Sequence, residues 1–157
     1  MKRLVAIDPG AKSVALALFK GDTLWHCGLV RASGLEDLLK AIRELDGLEL
    51  LGGQADEVVV EVPQIYPASK SKGDPNDLIR VALAAGGAAV AAGGVVKLVR
   101  PREWKGTVPK EIHNRRTIVK LRDFELQIYV TCTKSIPEAL RHNVLDAVGL
   151  GLWRLKR

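Results

Sequence analysis

Apolar positions along this chain fall into two periodicities, and the switches between them mark the elements. Leu4-Val5-Ala6-Ile7 is apolar throughout and ends on Asp8-Pro9-Gly10, so it reads as a central strand buried on both faces. Ser13 to Phe19 and Thr23 to Val30 are strand-like runs around the Gly21-Asp22 turn. They predict a hairpin and, with the first strand, a three-stranded antiparallel meander. Leu35, Leu38, Leu39, Ile42 and Leu45 then recur at helical spacing behind a capping box, Ser33 to Glu36, and Gly47 and Gly52-Gly53 close that helix.

Val58 to Val62 is again apolar throughout and predicts a parallel inner strand. A polar loop, Pro63 to Asp74, leads to an N-cap and first-turn proline at Asp74-Pro75. The helix they open runs to about Ala92, and its small residues suit close packing on the sheet or on another subunit. Val95 to Val99 is the fifth strand, ended by Arg100-Pro101. Lys110 to Leu121 reads as helix and Gln127 to Thr131 as a short extended piece. A second capping box, Ser135 to Glu138, opens a helix to about Leu155. With no repeat and no linker, the pattern is one domain of α/β class: a mixed sheet with helices on both faces in three layers.

Composition adds a partner class. The 157 residues are 47% hydrophobic and 27% charged, which excludes a disordered chain. A net charge of +6 and a pI near 9.5 favour a polyanionic partner. Cys27 and Cys132 form no CxxC pair, which argues against a disulfide framework or a zinc site and for free thiols in a reducing cytoplasm. Met1-Lys2-Arg3 runs straight into the first strand without a signal peptide, and Val81 to Val96 is too short for a membrane span. The expectation is a cytoplasmic protein with no membrane partner.

Candidate chemistry lies in three carboxylates. Asp8 and Glu61 end inner strands, and Asp146 lies in the apolar last helix with His142 and Asn143 on its face. Acids spread over separate rigid elements and facing a basic surface suit divalent cations and phosphodiester hydrolysis. Each has a plainer reading. Asp8 also suits a turn, Glu61 a solvated strand end, and His142 with Asp146 an exposed i,i+4 pair.

IDPGAKSVALALF, VVVEVPQIY and HNVLDAVGLGLW, in this order and spacing, resemble the RuvC-type Holliday junction resolvases of the ribonuclease H-like superfamily, especially compact phage relatives. The resemblance implies a mixed five-stranded sheet, a homodimer, and two Mg²⁺ or Mn²⁺ ions per site. It also implies water attack on four-way DNA junctions, giving paired symmetric nicks with 5′-phosphate and 3′-hydroxyl ends. Carried over by position, Asp8, Glu61 and Asp146 are catalytic metal ligands. The family places Asp or His three residues before the last acid. Here Asn143 stands there with His142 beside it, and His142 is the preferred fourth ligand or proton acceptor. Ile65 and Tyr66 occupy the place of a bulky pair that wedges into the junction. Lys70, Lys72, Lys105 and Lys110 are candidates for backbone phosphates, and Trp104 for packing the turn after Pro101. A broader branched-DNA or flap nuclease, a YqgF-type RNA-processing nuclease and a non-catalytic DNA-binding module are the alternatives.

Overall fold

In a computed structural model, residues 1–43, 54–64 and 74–157 are described. They form β1 (Arg3–Pro9), β2 (Ser13–Lys20), β3 (Thr23–Arg31), α1 (Leu35–Arg43), β4 (Glu57–Glu61), α2 (Pro75–Ala92), β5 (Val95–Val99), α3 (Pro101–Trp104), α4 (Lys110–Lys120), α5 (Asp123–Thr133) and α6 (Glu138–Arg154). The strands make one sheet in the order β3-β2-β1-β4-β5. β1, β2 and β3 pair antiparallel; β1, β4 and β5 run parallel. This is the mixed five-stranded sheet the sequence implies. The predicted close of α1 at Gly47 and Gly52-Gly53, and most of the loop after Pro63, lie outside the described residues.

Side chains alternate across a strand, so each strand divides its residues between two cores. Val5, Ile7, Leu16, Val58 and Val60 face α1 and α2, where Leu38, Ile42, Ala84, Ala88 and Ala92 meet them. Leu4, Ala6, Ala15, Ala17, Phe19 and Val59 face α6, where Val144, Ala147, Val148 and Leu152 meet them. The small residues of α2 therefore serve packing within the chain. A Cβ on Gly87 would stand 2.3 Å from Leu39 of α1.

Asp74 caps α2 as expected, accepting from the backbone N–H of Asn76 at 2.9 Å. Neither predicted capping box forms. Ser33 donates to the Asp37 side chain at 3.2 Å instead, and α6 starts after Pro137 with no side-chain cap. Gln127 to Thr131 is not extended but the middle of α5. Its β-branched and aromatic residues suggested a strand, yet Leu126, Tyr129 and Cys132 pack on the α6-side core at helical spacing, and tertiary burial overrides propensity. Glu125 fixes the helix start. It is fully buried and accepts from Leu24 N–H of β3 at 2.8 Å and from its own helix's Arg122 N–H at 2.9 Å. The Arg157 guanidinium meets both its oxygens at 2.7 Å.

α6 reaches the sheet because it carries glycine where the approach is closest. A Cβ on Gly151 would stand 2.1 Å from the Phe19 ring, inside any tolerable contact. Gly151→Ala is expected to lower stability by about 1–3 kcal/mol through overpacking, read as a lower urea midpoint at unchanged slope. Among the described residues no helix is long and apolar enough to cross a membrane.

Candidate active site

Parallel strands present their carboxyl ends at one edge of the sheet, where α/β proteins commonly build sites. β1 and β4 are in register through Ile7 and Val60, which puts Asp8 and Glu61 one step further on, side by side. Asp8 lies two and four residues after Ala6 and Leu4, and Glu61 two after Val59. All of these face α6. α6 brings Asp146, whose side chain is 7% exposed, to the same edge. Glu57 shares the face at the opposite end of β4, but there Lys2 and Arg154 neutralise it. The open carboxylates are thus confined to one end.

α3, a single turn begun by Pro101, drops the next residues beside them. Trp104 is buried, and its indole N–H donates to Glu61 Oε2 at 2.6 Å. The Lys105 ammonium lies 3.1 Å from Glu61 Oε2 and 3.5 Å from Asp146 Oδ2. Those two oxygens, from residues far apart in the chain, are therefore no further apart than the two distances added. α4 crosses α6 with Lys110 Nζ 3.9 Å from Asp146 Oδ2 and His113 Nε2 3.9 Å from Asp146 Oδ1. The His113 ring stands edge-on to Trp104, centroids 4.9 Å apart. Gly149 leaves the notch for this crossing, since a Cβ there would meet Thr117, Trp104 and His113.

The electrostatics follow from crowding. Burial pushes the Asp8 carboxyl up, and the Glu61 and Asp146 charges push it further, to about 8; Lys105 and Lys110 act in the opposite sense. Burial works against the Lys105 ammonium, but Asp8, Asp146 and Glu61 together hold its pKa above the ordinary lysine value. Desolvation lowers both His113 and His142, so each is a neutral imidazole near neutral pH. His142 is half-buried and within electrostatic reach of Lys110, Asp146 and Lys105; Asn143 is half-buried beside it.

Asp8, Glu61 and Asp146 are thus brought together, with His142 at their margin. Lys105 and Lys110, assigned from sequence to backbone phosphates, touch the carboxylates themselves. Ile65, Tyr66, Lys70 and Lys72 lie outside the described residues. Trp104, read from sequence only as packing the turn after Pro101, adds a hydrogen bond to Glu61, and His113 was missed altogether. For Trp104 the available signal was its position just past β5, beside the end of a parallel β4; His113 gave none, because its place depends on how α4 crosses α6.

Among the described residues, no three His, Cys, Asp or Glu side chains stand closed around a common point. A cation, the Lys105 ammonium, lies between carboxylates, and an acid held protonated near neutrality by burial and by like-charged neighbours has an unmet demand for positive charge. Hard oxygen donors of this kind suit Mg²⁺ or Mn²⁺, so the residues fit such an ion. An open groove of about 380 Å³ runs past the cluster, lined by Arg102, Lys105, Lys110, His113 and Asp146. Arg116 and Lys120 line an adjoining one.

No protein-family model matches the chain, and no curated protein matches it in sequence. Solved structures do. Thermus thermophilus RuvC in complex with a Holliday junction substrate matches 97% of this chain and 91% of its own, at TM-score 0.64 and 19% identity. The yeast mitochondrial Holliday junction resolvase Ydc2 matches 99% and 79%, at TM-score 0.61 and 13% identity. The fowlpox virus resolvase, solved with Holliday junction DNA, matches 98% and 97%, at TM-score 0.52 and 19% identity. At such identities the likeness is one of fold: the chain has the ribonuclease H-like α/β fold in the form these resolvases share.

Proposed function

We propose that this chain is a metal-dependent, structure-selective endonuclease that acts in the cytoplasm as a homodimer and resolves four-way DNA junctions by paired hydrolysis. The observation that carries the reading is the convergence of Asp8, Glu61 and Asp146 on one cationic position, at the mouth of a basic groove. The shared fold with three junction resolvases supports the substrate class.

Asp8, Glu61 and Asp146 would hold the ions, with His142 or Asn143 completing the set. Divalent ions held there would supply an activated water and charge stabilisation for the leaving oxygen. The chain's own groups do the rest. Trp104 fixes the Glu61 carboxylate by a hydrogen bond, so one acid is held in place before substrate arrives. Lys105 and Lys110 offset the like charges that would otherwise repel a phosphate. His142, neutral near pH 7, is poised to accept a proton from the attacking water. Arg102, Arg116 and Lys120, lining the grooves, would bind phosphates without reading sequence.

Paired nicks need two copies. The α2 side of edge strand β5 leaves Val96 and Leu98 exposed, and α2 itself leaves Ile79, Leu83 and Val90 exposed, apolar positions suited to a second copy. Leu83→Glu is expected to weaken self-association at least tenfold, read by sedimentation, with the thermal midpoint little changed.

The test is incubation of the purified chain with end-labelled four-way junction, flap, linear duplex and RNA, in Mg²⁺, Mn²⁺ or EDTA. Symmetric nicks on junctions only, lost in EDTA, are the expected result. Nicks on flaps as well move the reading to a broader branched-DNA nuclease. Cleavage confined to RNA, or junction binding with no cuts in either metal, overturns it.

A further inference from the structure

Away from the acidic cluster, β3 and α5 bring together the chain's two cysteines, 105 positions apart in the sequence. Cys27 is 1% exposed in the core, whereas Cys132 is half-buried and packs against it. The Cys132 sulfur lies 3.4 Å from His26 Nδ1, with the Cys27 thiol and backbone N–H turned toward it across the contact of α5 with β3. A half-buried cysteine beside an imidazole and backed by a second, inner thiol is the arrangement of an attacking cysteine with its resolving partner. We propose that Cys132 and Cys27 are a hydroperoxide-responsive thiol pair, in which oxidation of Cys132 is resolved by Cys27 into an intramolecular disulfide tying α5 to β3.

The two steps balance. The Cys132 thiolate attacks the peroxide, forming an S–O bond as the O–O bond breaks; the departing alkoxide or hydroxide takes a proton from solvent, and Cys132 is left as the sulfenic acid. The Cys27 sulfur then attacks Cys132, losing its proton. The S–S bond forms, the S–O bond breaks, and hydroxide leaves with that proton as water. Two electrons pass from the thiol pair to the peroxide. The hydrogen bond from Cys27 pulls the Cys132 pKa down to about 5, while that same bond and burial push Cys27 up, so at neutral pH the outer sulfur is the thiolate. The bridge would fasten the end of α5 that leads into α6, where Tyr129 donates to the Arg141 carbonyl and Arg141 donates to that of Ile136. This site is independent of the nuclease reading.

The test treats the reduced full chain with hydrogen peroxide and follows intact mass, thiol alkylation and migration on a non-reducing gel. In the untreated chain at pH 7, Cys132 is expected to react with iodoacetamide at least tenfold faster than Cys27. After peroxide, mass falls by two hydrogens, both thiols are lost together, the chain still runs as a monomer, and dithiothreitol restores it. In Cys27→Ser the sulfenic acid stalls and is trapped by dimedone. A Cys132 that alkylates at its original rate after peroxide, or a disulfide found only between chains, overturns the proposal, and both outcomes are read on the parent chain.

Discussion

Asp146→Asn is expected to nick a four-way junction about a thousandfold more slowly than the parent chain, roughly 4 kcal/mol of barrier, while binding the junction at least as tightly. The substitution keeps size and shape in a side chain that is 7% exposed, so α6 still docks. What it removes is one negative charge at the point where Lys105, Lys110 and His113 converge. Losing that charge weakens the hold on divalent cations and also lessens repulsion of the phosphate backbone. Cleavage and binding therefore move apart. Glu61→Gln should behave alike, because the amide oxygen can still accept from the Trp104 indole. Binding by mobility shift in EDTA and nicking in Mg²⁺ separate the two effects. Parent-level nicking by Asp146→Asn would remove this acid from the chemistry.

Asp8→Asn is expected to be more stable than the parent chain in EDTA, by a margin that opens above about pH 4 and levels off near pH 8. The Asp8 carboxyl moves from 3.8 to about 8 on folding, through burial first and the neighbouring Glu61 and Asp146 charges next. Between those values the folded chain keeps a proton that the unfolded chain has released. Folding then becomes less favourable as pH rises, by at most about 1.4 kcal/mol per pH unit for one proton. Asparagine has no proton to lose and escapes this cost. Below about pH 4 both states of the parent are protonated and the two proteins converge. Thermal unfolding from pH 3.5 to 9 in EDTA measures the margin, and parallel curves across the range would count against the crowded-carboxylate account. Magnesium should narrow the margin by stabilising only the parent, since a ligand that binds the folded state alone raises its stability.

How much of this was readable beforehand depends on how local each determinant is. The apolar runs of β1 and β4 announce central strands because burial on both faces leaves no polar alternation. From these runs come the positions of Asp8 and Glu61. Asp146 was legible for a similar reason, as a charge in a helix too apolar to leave the sheet. The contacts of Trp104 and Lys105 with the carboxylates escaped because α3 is one turn long, and they arise only once β5 is known to lie parallel to β4. His113 and the Cys27–Cys132 pairing depend on how α4 and α5 cross their neighbours, which no spacing within either helix encodes. Residues 127–131 misled for the converse reason: a local preference for extended backbone was clear, and packing on the α6-side core outweighed it.

The acids come from places far apart in the order of synthesis. Asp8 and Glu61 belong to a sheet whose five strands are complete at Val99, whereas Asp146 arrives on α6 some forty-seven residues later. A nascent polypeptide that has emerged from the ribosome only as far as β5 therefore holds two of the three carboxylates and lacks the helix that covers their face of the sheet. On the proposed reading, competence to cut would be coupled to the last docking event, and an interrupted translation product would carry the sheet without the proposed reactive centre.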